Sequence, residues 1–90
     1  MQMPVYNKLR QWMKEYSRSV GDDKRAVQDF MECETTEAVK SLQAELFQIR
    51  QGNYLEETLD NAVGLPRKQR FGTYEEWAKM MLLWIANYKG

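Results

Sequence analysis

Ninety residues provide material for one hydrophobic core, and a composition of 43% apolar and 29% charged residues excludes a disordered or fibrous chain. Thirteen Lys and Arg balance thirteen Asp and Glu, which excludes a global field able to hold nucleic acid or an anionic membrane surface. The balance is not local: residues 35–65 carry two basic and five acidic groups, and residues 66–90 carry five and two.

From the N-terminus, Val5, Leu9, Trp12, Met13, Tyr16 and Val20 recur at three- and four-residue steps, predicting an amphipathic helix with Pro4 in its first turn. Gly21 suits a left-handed stop, and Asp22 or Asp23 a cap for the helix that follows. This second helix is short, offers Val27, Phe30 and Met31 to a core, and ends near residues 32–36. Thr35 or Thr36 then caps a third, which runs through Ala38, Val39, Leu42, Leu46 and Ile49 to Gln51 and stops at Gly52. A weaker fourth segment over residues 54–64 places Leu55, Leu59, Ala62 and Val63 on one face and is terminated by Gly64 and Pro66.

Residues 65–73, with Arg67, Lys68 and Arg70 clustered, are expected to form a loop. "TYEE" from Thr73 to Glu76 is a capping box that opens the last helix, about residues 74–88. That helix is apolar nearly all round, which predicts a central, buried element wrapped by the others, its remaining surface covered by a neighbour or a second copy of the chain. No stretch alternates apolar and polar residues, so no sheet is expected. The fold class is all-α, a single compact bundle of four to five helices forming one domain over residues 1–90.

Chemistry is constrained by what is missing. The chain has no histidine, which removes the commonest general base and the commonest metal ligand, and its one cysteine, Cys33, can neither form an internal disulfide nor build a zinc site. No catalytic residue, cofactor or metal is assigned. The acids Asp22, Asp23, Glu75 and Glu76 sit where helix dipoles favour negative charge, which makes them caps before they are catalysts. Four of the six methionines (Met13, Met31, Met80 and Met81) fall on core stripes, where gap-filling accounts for them. The start of the chain shows no signal peptide, and its longest apolar run, Met80 to Ala86, is far shorter than the roughly 20 residues of a membrane span. A cytoplasmic location away from membranes is expected.

Two places stand out for binding. The basic stretch 67–71 pairs Arg67, Lys68 and Arg70 with Phe71 and Tyr74. On the third helix, Phe47 lies more than about 100° from the centre of the apolar stripe, and Tyr54 sits off the face of the fourth segment in the same way. Aromatic residues and arginines together are what interfaces enrich. The sequence therefore reads as a non-enzymatic adaptor or regulator whose partner is another protein, a second copy included. The alternative is a weak nucleic-acid binder through the basic stretch, and a small all-α enzyme comes third.

Overall fold

The computed structural model describes residues 6–17 and 20–88. They form α1 (Asn7–Glu15), a 3₁₀ turn (Val20–Asp22), α2 (Asp23–Cys33), α3 (Thr36–Arg50), α4 (Glu56–Ala62), α5 (Leu65–Phe71) and α6 (Tyr74–Ala86), with no strand among the described residues. The count is six helices rather than four to five, and the added one is α5, where a loop was expected. Gly64 (φ 106°) and Pro66 close α4, as anticipated, but they also open α5: the glycine turns the chain and proline's fixed φ suits a first helical turn. Gly72 (φ 94°) ends α5. Gly21 lies inside the 3₁₀ turn and is not left-handed; the first helix stops earlier, at Glu15 with Tyr16 as its C-cap, rather than running on to Val20. Pro4 and Val5 lie outside the described residues.

Threonines set two of the helix starts. Thr35 Oγ1 accepts from the Ala38 N–H and Thr73 Oγ1 from the Glu76 N–H, each at 3.1 Å. The start of α1 has no side-chain cap of its own. Its cap comes from α3: Glu45 accepts from the Lys8 N–H (3.1 Å) and the Leu9 N–H (3.0 Å). A carboxylate at the positive end of α1 thus joins two helices distant in sequence. Burial raises the Glu45 carboxyl above its ordinary range, against the opposing pull of the two N–H groups and Lys8.

The core is continuous across all the helices except α5, and its largest fully buried side chains include Trp12, Trp77, Tyr6, Tyr74 and Phe30. The most extensive helix pair is α3 with α6, and α6 also packs on α2 and α5. The radius of gyration, 12.1 Å, agrees with the roughly 12 Å of a folded domain this long. One expectation is corrected here. α6 is buried on one face only, through Tyr74, Trp77, Ala78, Met81 and Ile85, while Leu83 is 44% exposed. Leu55, assigned to the inner face of α4, is instead its exposed N-cap residue.

Replacing Glu45 by Ala orphans two helix-start donors and is expected to cost about 1–2 kcal/mol. Glu45→Gln keeps an acceptor without a buried charge and should lose less. Thermal unfolding of the two variants checks the order.

Candidate functional site

The basic stretch does not survive folding as a cluster. Arg67 projects from α5 into the interior and is 6% exposed. Its Nε (2.9 Å) and Nη2 (2.7 Å) both donate to the carboxylate of Asp23, itself 1% exposed at the first residue of α2. Trp77 Nε1 donates to the same carboxylate at 3.0 Å, and Ser17 Oγ accepts from Arg67 Nη2 at 2.5 Å. The guanidinium carbon lies 5.8 Å from the centroid of Trp12, whose ring is 6.3 Å from that of Trp77. A two-pronged ion pair closed by aromatic rings is a structural joint, satisfied on nearly every side. Asp23 is therefore not a solvent-facing cap, as its position in the sequence suggested, and Arg67 is not available to a partner.

Its neighbours in the stretch are scattered. Lys68 pairs with Glu56 of α4, and its ammonium lies 5.7 Å from the centroid of the Tyr74 ring. Phe71 is half-buried against the core. Arg70 is exposed, as is Gln69 beside it.

Tyr74, expected to bind with the basic stretch, is instead fully buried, its hydroxyl donating to Asp60 of α4 at 2.5 Å. Tyr54, half-buried, donates to Glu75 and meets the Tyr74 ring edge-on with centroids 6.0 Å apart. Tyr16 likewise donates to Glu34 at 2.5 Å, tying the end of α1 to the end of α2. Burial, and then the Glu75 carboxylate, push the Tyr54 phenol up to about 12. The same two causes raise Tyr74 with Asp60 as its partner, and Tyr16 is raised chiefly by its bond to Glu34.

Phe47 is where its helical phase put it, 43% exposed on the outer side of α3. One turn on, Arg50 borders a shallow cleft of about 260 Å³ whose other wall is Lys79, Leu82, Leu83 and Ala86 of α6. Those four residues recur at three- and four-residue steps and make one stripe of that helix. This face unites Phe47, an expected site residue, with α6 residues that were read as covered. Leu83 was discoverable only as an excess: a helix apolar on three sides cannot bury them all in so small a bundle. A second, polar cleft of about 220 Å³ is lined by Tyr16, Asp22, Arg25 and Asp29. The described residues hold no group of three or more potential metal ligands, and no helix among them is long and apolar enough to cross a membrane. The sequence matches no family model, no curated protein and no solved structure.

Removing one member of the buried pair strands the other charge, so Arg67→Met and Asp23→Leu are each expected to lose about 3–5 kcal/mol. The double variant should lose clearly less than the sum, measured by urea unfolding.

The three phenols are held protonated in the folded chain, whereas the unfolded chain ionises tyrosine near 10. Their contribution to stability is thus complete below pH 10 and is lost as pH rises through the folded value, about 12 for Tyr54. Phenolate absorbance in an alkaline titration should lag behind that of the chain in denaturant and then rise together with unfolding.

Proposed function

We infer that this chain is a small, non-enzymatic cytoplasmic module that binds another protein through the outer face of α3 and α6. The observation that carries the reading is the exposed Leu83 in a cleft with a largely aliphatic wall, with the exposed Phe47 one turn before the Arg50 that borders it. Exposed apolar surface grouped in one place marks an interaction site more often than scattered residues do. The cleft, at about 260 Å³, is smaller than the roughly 300–1,000 Å³ of small-molecule sites and suits a side chain of a protein partner. The exposed free thiol of Cys33 is in keeping with a reducing compartment.

The nucleic-acid alternative has less to stand on, because Arg67 is buried against Asp23 and Lys68 is paired at the surface with Glu56, leaving Arg70 as the cation of the stretch in no ion pair. Affinity for phosphates grows with the number of cations presented, so a single one is a poor anchor. The enzyme reading asked for cations converging in a cleft, and Arg67, buried against Asp23, is not one of them.

The tagged chain and its Phe47→Asp/Leu83→Asp variant, used side by side as baits in lysate of the source cell, test the reading. At least one protein should be recovered at least tenfold better by the wild type. Exposed substitutions of this kind shift stability by only about 0.5 kcal/mol, so the two baits should melt alike. Identical captures by two equally folded baits would refute the assignment of the face.

A further inference from the structure

The charge around the cleft says more about its occupant than the apolar wall does. Arg50 and Lys79 stand on opposite sides of it, both exposed, and neither is in an ion pair among the described residues. Lys40, also exposed and unpaired, lies two turns before Phe47 on the same side of α3. No acid is among the described residues lining the cleft; Glu75 and Glu76, one turn before Lys79, and Glu37, one turn before Lys40, lie outside it. The lining of the cleft is therefore two cations over an aliphatic floor, in a chain that is neutral overall.

Resting on the reading of this face as a protein-binding surface, we propose that its occupant is an acidic amphipathic helix of another protein. Its apolar stripe would lie between Phe47 and Leu83, with its carboxylates reaching Arg50 and Lys79. A helix suits the site because the cleft runs between two helices, which receive a third by ridges entering grooves. An added strand would need a sheet edge, and the described residues contain no strand. A second copy of this chain meeting the face symmetrically would set Arg50 and Lys79 against a surface carrying the same cations. Nucleic acid would bring phosphates to the cations but nothing for the leucines.

Phage-displayed random 16-residue peptides selected on the full-length chain provide the test, with synthetic versions of the enriched peptides measured by fluorescence anisotropy. Enriched peptides are expected to carry apolar residues at i, i+3 or i+4, and i+7, with Asp or Glu between them, and to gain helical circular dichroism on binding. Arg50→Glu/Lys79→Glu should weaken them at least tenfold, and a peptide with its acids changed to Lys should bind this variant better than it binds the wild type. That reversal cannot arise from a misfolded variant. Peptides without acids, or binding indifferent to charge reversal but abolished by Leu83→Asp, would overturn the acidic occupant and leave the face as a protein-binding surface. A wild-type dimer that Leu83→Asp dissociates in sedimentation would replace the acidic helix by a second copy. No enrichment, or peptides insensitive to all three substitutions, would overturn both the occupant and the face.

Discussion

The Asp23–Arg67 pair is the constraint around which the helices are arranged. One carboxylate at the start of α2 receives a guanidinium from α5 and an indole N–H from α6, and the guanidinium in turn donates to Ser17, just after α1. Four segments therefore meet at two charged groups that are almost wholly removed from water. Burying such charges is expensive, and well-packed apolar residues would often be as stable or more so. What the pair supplies is a geometry: a two-pronged bond has one good orientation, and it settles how the seven-residue α5 sits against the core. A helix this short would be marginal without tertiary contacts.

Several other carboxylates also work inside the molecule. Glu34, Asp60 and Glu75 each accept from a tyrosine, and Glu45 caps a helix to which it does not belong. Of the five acids in the acidic middle of the sequence, Glu45, Glu56 and Asp60 are used in this way. Cations are spent less evenly. Arg67 and Lys68 are paired, while Lys40, Arg50 and Lys79 face solvent on one side of α3 and α6. In a chain of zero net charge, two of these cations, Arg50 and Lys79, line a cleft with a largely aliphatic wall, although the sequence around α3 reads as acidic.

Legibility differed by residue for identifiable reasons. Phe47 was legible because α3 is a long helix with a clean apolar stripe, so 100° per residue places every side chain. Tyr74 and Arg67 were not. Tyr74 opens α6 beside a capping threonine, where phase is poorly defined, and what buries it is Asp60, reached only after α4 and α5 fold back. Arg67 is spaced four residues from both Val63 and Phe71, a hint that it points inward. Nothing near it in the chain supplies the acid that a buried arginine needs, since its partner lies 44 residues away. The seven residues of α5 are too few to show a period, and its glycine and proline read equally well as the end of one helix and the start of the next.

Periodicity and capping chemistry determined the all-helical class, five of the six helices and the Thr73 cap, and narrowed the other cap to Thr35 or Thr36, because these are local effects felt within one or two turns. Tertiary structure alone decided which charges were neutralised, which face of α6 remained outside, and whether Arg67 belonged to the surface or to the core. Each of those depends on pairings between residues 12 to 54 positions apart. A sequence shows that a carboxylate or a guanidinium is present, but folding chooses its partner.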